Sequence, residues 1–281
     1  MTKVGSKEGK EDTSRTFARY IASAQFKDLP SKVVELAKLD ILDTLGVTVA
    51  GSSFDESTKP LLELAREWGG TKESTILVFG DKVPADNSVL VNGSMAEAFD
   101  FTDAYGRGLT HVGQATVIPA FAIAEREGKV NGGDLINAVV LGQEISLRMY
   151  YNMRVEHGFA VTGVLTCFGA ATTVGKLLRL DEEQMTNALG IAFNQIAGSF
   201  QSYIDCVTTK ELIGGLTSRT GITSGLLARK GFTGTRNTLE GKNGFCAMYC
   251  GGNCNLEKLT ANLGKEFEVM HLGFKPYPCG Y

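Results

Sequence analysis

The fold is decided first by residues 30–51, PSKVVELAKLDILDTLGVTVAG, where apolar side chains recur at helical spacing. Pro30-Ser31 is a start signal for a helix, and Gly51-Ser52-Ser53 ends it. The large number of apolar positions predicts a helix that is buried on more than one side. These positions are Leu36, Leu39, Ile41, Leu42 and Leu45.

Helix-like segments continue on both sides of this stretch. They predict further helices at 14–25, 56–68, 86–99, 116–127, 132–153, 161–179, 182–200 and 208–230. Only Ser74–Phe79, bounded by Gly80-Asp81, is typical of a strand. Residues 232–281 are rich in glycine and are predicted to be irregular. The expected fold class is all-α, mainly helical.

Composition excludes several classes of protein. The 281-residue chain carries a formal net charge of −3, so no electrostatic case exists for nucleic-acid binding. No run of about 18 apolar residues occurs, which argues against a membrane span. Residues 1–13 are mostly polar and charged, and we expect a flexible tail there instead of a signal peptide. A cytoplasmic protein is expected.

The glycines mark the ends of elements and sites of close packing. Gly163, Gly169 and Gly175, with Ala170-Ala171, predict close approach between helices. No G-x-G-x-x-G turn follows a strand, and no Walker-type lysine loop occurs, so these nucleotide-binding signatures are absent from the sequence.

Six cysteines are expected to be reduced thiols. Cys246, Cys250 and Cys254 are spaced as one stripe of a helix, although Gly251-Gly252 interrupts that helix. Their spacing matches no ferredoxin-type cluster motif. Buried free thiols are the favoured interpretation, and a metal site is the alternative.

His111 is the best candidate for chemistry among three histidines, which are too few for a His-rich metal site. It lies in a polar loop after the helix predicted to end near Phe101, and such loops often carry functional side chains. The alternative is a surface or capping histidine.

Asp100 and Asp103 lie at the end of that predicted helix. Paired carboxylates act in acid–base chemistry, whereas a capping role for Asp103 is the alternative. A carboxylate beside His111 would raise the pKa of the imidazole and fix its tautomer.

Lys210 lies at the predicted start of a helix. An ammonium group there can gather an anion together with backbone N–H groups. Burial would lower the pKa of its amine and allow neutral-amine chemistry. A solvated surface lysine is the alternative.

From about residue 14 to its end, the chain is similar to the 2-methylcitrate dehydratase (MmgE/PrpD) family, which includes cis-aconitate decarboxylase and an iminodisuccinate epimerase. The number and order of short motifs carry the similarity. These are Leu42-Asp43-Thr44-Leu45-Gly46, Val91-Asn92-Gly93, Asp100-Phe101-Thr102-Asp103, Phe168-Gly169-Ala170-Ala171, Ala188-Leu189-Gly190-Ile191-Ala192, Gly231-Phe232-Thr233-Gly234, Leu239-Glu240-Gly241 and Lys275-Pro276-Tyr277-Pro278-Cys279.

The resemblance implies a large helical domain, here 14–272, followed by an α+β lid and a closing helical segment. Both would be missing from this chain, and 273–281 would begin the connection to the lid. The resemblance also implies a homodimer that acts on small di- or tricarboxylates without a metal or organic cofactor. An incomplete helical domain should expose apolar surface that a neighbouring chain can cover.

By the same resemblance, Asp100 of the D-F-x-D motif, His111 of the H-x-G motif and Lys210 are catalytic. Arg219, whose spacing from Lys210 supports the alignment, is expected to bind substrate.

Three positions depart from the family pattern. Val112 stands where proline is usual, and Ala104 where threonine often follows D-F-x-D. Ala160 replaces the second site histidine, and alanine cannot transfer a proton. Loss of a general acid or base commonly costs roughly 10²–10⁴-fold in rate. His157 is a possible substitute.

The first hypothesis is a lyase-like enzyme, a dehydratase or decarboxylase, with an epimerase as an alternative that shares the first step. In it, His111 transfers the proton and Asp100 orients His111, while Lys210 and Arg219 neutralise substrate carboxylates. The second hypothesis is a catalytically weak subunit that needs a separate lid-bearing chain, and the third is a truncated gene.

Overall fold

The computed structural model describes residues 12–196 and 198–279, and within them the chain is mainly helical, as predicted. The helices are α1 Thr13–Ser23, α2 Ser31–Gly51, α3 Asp55–Trp68, α4 Ala85–Ala98, α5 Gly113–Glu127, α6 Gly132–Asn152, α7 Val161–Leu177, α8 Glu182–Phe193, α9 Gln201–Ile204, α10 Leu212–Arg229, α11 Phe245–Tyr249 and α12 Leu256–Thr260.

Short 3₁₀ turns occur at Phe26–Asp28, Thr208–Lys210 and Glu268–His271. Two antiparallel strand pairs complete the described part: β1 Ser74–Thr75 with β2 Lys82–Val83, and β3 Ala104–Tyr105 with β4 Leu272–Gly273. None of the described helices is both long and apolar enough to cross a membrane.

Three sequence-based boundaries need correction. The strand predicted at Ser74–Phe79 stops after Thr75, because Val78 adopts a left-handed conformation (φ 70°) and the chain turns back into β2. The helix predicted at 182–200 ends at Phe193, where the Asn194 amide donates to Gly190 O. The predicted tail loses its last residue to α1, which Asp12 caps through Ser14 N–H, and residues 1–11 lie outside the described chain.

Helix α2 is buried on one side only, so the expectation of burial on several sides was wrong. Its inward stripe includes Val33, Ala37 and Thr44. On the outward side, Leu39 is 52% exposed and Leu42 is 68% exposed. Apolar residues at helical spacing show that a segment is helical, but they do not show which tertiary neighbours it has.

Glycines set the closest helix crossings. A Cβ atom added at Gly169 of α7 would lie 2.6 Å from Gly142 O of α6, so these backbones touch, as the small residues predicted. A Cβ at Gly93 of α4 would lie 2.7 Å from Gly214 O of α10. Real Cβ atoms do not approach a backbone carbonyl so closely, and only glycine therefore fits these crossings.

A buried ion pair fastens the irregular C-terminal part to α6. Arg148 Nε donates to Glu144 Oε1 at 2.6 Å, and both side chains are nearly inaccessible. The same guanidinium donates to the carbonyl oxygens of Leu259, Ala261 and Glu266. These bonds compensate a charge that would be costly to bury unpaired. They also fix the position of the segment that precedes β4.

The expectation that all six cysteines are reduced was wrong for two of them. Cys246 and Cys254 form a disulfide, whereas Cys167, Cys206, Cys250 and Cys279 are free. The chain reverses at Gly251 and Gly252, which both have positive φ, and the two Cα atoms come within 6.0 Å, the usual separation for a disulfide. Helical spacing alone does not reveal this reversal.

We predict that Gly93→Ala destabilises the protein by about 1–3 kcal/mol, because the new methyl group must push α10 away. Urea unfolding measures the change. Gly132→Ala, in the first turn of α6, is the matched control, since a Cβ at Gly132 meets nothing within 4 Å. In that exposed helical position alanine should stabilise by roughly 0.4–1 kcal/mol. Equal effects of the two substitutions would contradict a tight α4–α10 crossing.

Candidate functional site

The site forms where the end of α4 meets the start of α10. The two helices run in opposite directions and cross at Gly93 and Gly214. Glu97 follows Gly93 by four residues and Lys210 precedes Gly214 by four. Four residues are about one helical turn, so the two side chains meet one turn away from the crossing.

Lys210 lies between two carboxylates. Its Nζ atom is 2.5 Å from Asp100 Oδ1 and 3.6 Å from Glu97 Oε1. The side chain of Lys210 is 12% exposed and that of Glu97 only 3%, whereas that of Asp100 is 48% exposed. Within the cluster, Glu97 is therefore the buried carboxylate and Asp100 is the one that solvent can reach.

These neighbours keep Lys210 charged. Burial acts to lower the pKa of its amine, but the carboxylates of Glu97 and Asp100 outweigh burial and raise that pKa above the ordinary value. Neutral-amine chemistry at Lys210 is therefore not favoured. An ammonium group that is already desolvated is well suited to hold a carboxylate of a substrate.

His111 is oriented by backbone and not by Asp100. His111 lies two residues before α5, and its Nδ1 atom is 2.5 Å from the carbonyl oxygen of Asp103. A carbonyl only accepts hydrogen bonds, so Nδ1 carries the proton. Burial lowers the pKa of His111, although the charge of Glu97 opposes this. The ring is therefore neutral near pH 7, and Nε2 has a free lone pair that can accept a proton.

The side chain of Asp103 caps α5, which was one of its two sequence-based interpretations. Its carboxylate accepts the N–H groups of Val112 at 3.0 Å and of Gly113 at 2.8 Å. Asp103 is fully buried, and burial raises the pKa of its carboxyl group. The residue fixes the start of α5 and, through its carbonyl, the ring of His111.

Lys275 joins the site, although the sequence reasoning gave it no role. Its Nζ atom donates to Asp100 O at 2.9 Å and to Cys279 O at 2.8 Å. Pairing of β3 with β4 brings this segment beside Asp100. The Lys275-Pro276-Tyr277-Pro278 motif was the available signal. Residues 280–281, at the end of the expected connection to a lid, lie outside the described chain.

Arg219 is not placed with the other three candidates. Its guanidinium lies 3.5 Å from Asp86 Oδ2 and stacks 5.3 Å from the ring centroid of Trp68. Arg219 follows Lys210 by nine residues, roughly 13 Å along a helix axis. The structure thus brings Lys210 into contact with Asp100, makes both electrostatic neighbours of Glu97 together with His111, and leaves Arg219 beside α3 and α4.

Ala160 occupies the position at which the resemblance implies a second site histidine, and His157 was the substitute considered for it. Ala160 is buried just before α7, and its N–H donates to Gly198 O at 3.0 Å. His157, the possible substitute, is exposed. Ala104, at the other departure from the family pattern, is buried in β3.

The grouped residues provide two ammonium groups (Lys210 and Lys275), two carboxylates (buried Glu97 and exposed Asp100) and one neutral imidazole (His111). This arrangement can hold an anionic ligand and transfer a proton to or from it.

We predict that His111 makes folding less favourable as pH falls. Its pKa in the folded protein lies below the ordinary 6.5, so the unfolded chain takes up the proton first. The stability is present above pH 6.5 and is lost as pH falls towards the folded-state pKa. Urea unfolding measures the free energy of unfolding at about pH 7.5 and at about pH 5.5. The decrease between these two pH values should be smaller in His111→Asn than in the wild type.

His157→Asn, at an exposed site, is the control for this prediction and should follow the wild type. Carboxyl groups with raised pKa values, such as Glu144 at about 7, titrate in all three proteins and cancel in the differences. An unchanged pH dependence in His111→Asn would contradict a buried neutral imidazole.

Residues 15–257 match the MmgE/PrpD N-terminal domain. The cis-aconitate decarboxylase of Aspergillus terreus is 26% identical over 294 aligned positions, which cover 99% of this chain and 60% of that protein. Human cis-aconitate decarboxylase is 26% identical over 278 positions, covering 95% of this chain and 56% of that protein. The chain therefore spans 60% or less of the length of these relatives.

Proposed function

Because the chain belongs to the MmgE/PrpD family, we propose that it is a lyase that acts on a small di- or tricarboxylate by proton transfer next to a carboxylate. The observation that carries the proposal is the meeting of Lys210, Asp100 and His111 in one solvent-facing cluster. The names of the relatives favour decarboxylation of a tricarboxylate such as cis-aconitate.

In this proposal the ammonium group of Lys210 binds a substrate carboxylate, with Lys275 adding positive charge from beside Asp100. Negative charge that develops next to the bound carboxylate in the transition state is stabilised by these cations. His111 moves the proton through Nε2, with its Nδ1–H held by Asp103 O.

The same residues serve two lyase reactions. In dehydration, a base removes the proton next to the carboxylate, the C–H electrons form the double bond, and hydroxide leaves with a proton as water. In decarboxylation, the bond to one carboxylate breaks, carbon dioxide leaves, and the remaining electron pair takes up a proton. Both pass through a species with negative charge beside a carboxylate, which is the charge that Lys210 faces.

Ala160 favours a second candidate, a catalytically weak subunit that needs a partner chain to be active. Its methyl group cannot supply the proton transfer expected of the family histidine, and exposed His157 is not a buried replacement. A rate deficit of roughly 10²–10⁴-fold would be the expected consequence.

We predict that Lys210→Met lowers turnover of the active substrate at least about 100-fold, because a cation that stabilises transition-state charge is lost. The assay follows cis-aconitate and related di- and tricarboxylates in deuterated water by NMR, recording product formation and deuterium incorporation. Lys230→Met is the control, since Lys230 lies exposed just beyond the other end of α10 and should leave turnover unchanged.

Full activity in Lys210→Met would show that the proposed site is wrong. No turnover or exchange by the wild type, alone or with a lid-bearing family member, would reject the enzymatic assignment. Activity only with that partner would support the subunit alternative.

We also propose that the chain forms a homodimer through the outward face of α2. Leu39, Leu42 and Val49 are each more than half exposed there. Their three- and four-residue spacing, with Gly46 between them, places all four on one side of the helix. An exposed apolar stripe of this kind is typical of a helix that packs against a partner.

Analytical ultracentrifugation should therefore show a dimer at micromolar concentration. Leu42→Glu should shift the protein to monomer, because the charge would be buried at the interface. Phe232→Glu, at an exposed apolar position beyond α10, should leave the dimer intact. A well-behaved wild-type monomer would contradict the proposal.

A further inference from the structure

Glu97 is a buried carboxylate that no sequence motif identified. It lies in the last turn of α4 with its side chain 3% exposed. One oxygen, Oε1, faces Lys210 Nζ at 3.6 Å. The other, Oε2, is buried and has no hydrogen-bond partner among the described residues.

This placement is unfavourable for folding in two ways. A buried carboxylate with one unpaired oxygen loses hydration that the protein does not replace. The end of a helix also carries a partial negative charge, which repels a carboxylate in the last turn. The helical neighbours of Glu97 are small or apolar, and an alanine would avoid both costs. A role in the site would account for a carboxylate at this position.

The groups that face Glu97 are the groups of the proposed site. Lys210, His111 and Lys275 act on it as positive or titratable groups, and Asp100 acts as a like charge. Burial is the largest effect and raises the pKa of Glu97, while the three basic groups oppose it. Tyr203, whose ring lies 5.8 Å from Lys210 Nζ, is the remaining titratable neighbour.

Glu97 raises the pKa of both of its basic neighbours, His111 and Lys210. Glu97 has the largest charge effect on His111, and it acts on Lys210 together with Asp100; in both cases it favours the protonated form. Lys275 acts on His111 in the opposite direction. Glu97 therefore counteracts the burial that would make both side chains less basic.

We propose that Glu97 is a positioning residue: its buried carboxylate, 3.6 Å from Lys210 Nζ, carries a negative charge that holds Lys210 as an ammonium ion beside Asp100. The role in turnover rests on the proposed lyase function. The electrostatic role does not, because it is measurable in the resting protein. With alanine at position 160, His111 is the imidazole on which proton transfer in this cluster depends.

The test is a proton NMR titration of the histidine rings in the full chain, with the signal of His111 identified by its loss in His111→Asn. Glu97→Gln keeps the shape and removes the charge, so the pKa of His111 should fall further below its ordinary value. Glu127→Gln is the matched control, because Glu127 is partly buried and is also paired, but with Arg229 at the other ends of α5 and α10. It should leave the titration of His111 unchanged.

An unchanged His111 titration in folded Glu97→Gln would overturn the proposal. If that variant does not fold, competitive acetylation of wild-type lysines against pH gives an independent measurement. Lys210 should become reactive at higher pH than the exposed lysines, in keeping with its raised pKa, whereas reactivity at lower pH would overturn the proposal.

Where the wild type has activity, Glu97→Gln should also move the acidic limb of the kcat/KM profile to lower pH, and Glu97→Asp should restore it in part. A purely structural role would lower the rate without moving the limb, and that result would overturn the role in turnover. Absence of activity in the wild type would reject the lyase proposal and leave the NMR result to decide the electrostatic role of Glu97.

Discussion

The contact between the backbones of α4 and α10 is the constraint on which the site depends. No side chain separates Gly93 from Gly214, so the two helix axes lie as close as backbone atoms allow. The helices run in opposite directions, so a side chain one turn after the crossing on α4 lies next to a side chain one turn before the crossing on the chain entering α10. Glu97 and Lys210 occupy these positions, and their charges meet at a depth where water screens them little.

A second constraint brings the end of the described chain to the same place. The Glu144–Arg148 pair is buried and bonded to three backbone carbonyls, so the irregular segment after α12 has one position on α6. The β3–β4 pairing then leads to Lys275, which donates to the carbonyl of Asp100. The residues of the site thus come from four separate parts of the chain, each held by contacts outside the site.

These contacts also decide the protonation states. Lys210 is buried but stays cationic, because two carboxylates face it. His111 is neutral, because burial outweighs the carboxylate near it, and its bond to Asp103 O leaves Nε2 unprotonated. A fixed cation and a neutral base that share Glu97 and Asp100 as neighbours are suited to proton transfer next to a carboxylate.

Periodicity and local signals in the sequence determined that the chain is mainly helical and where most helices lie, because these features depend on residues close together in the chain. Motifs also selected Asp100, His111 and Lys210 as candidates, and in the structure Lys210 contacts Asp100 and all three act electrostatically on Glu97. Only the tertiary structure showed that α2 is buried on one side, that Cys246 reaches Cys254, and that Arg219 lies apart from Lys210. It also added Glu97 and Lys275, because a charge acquires its partner and its burial from segments distant in sequence, which no local pattern specifies.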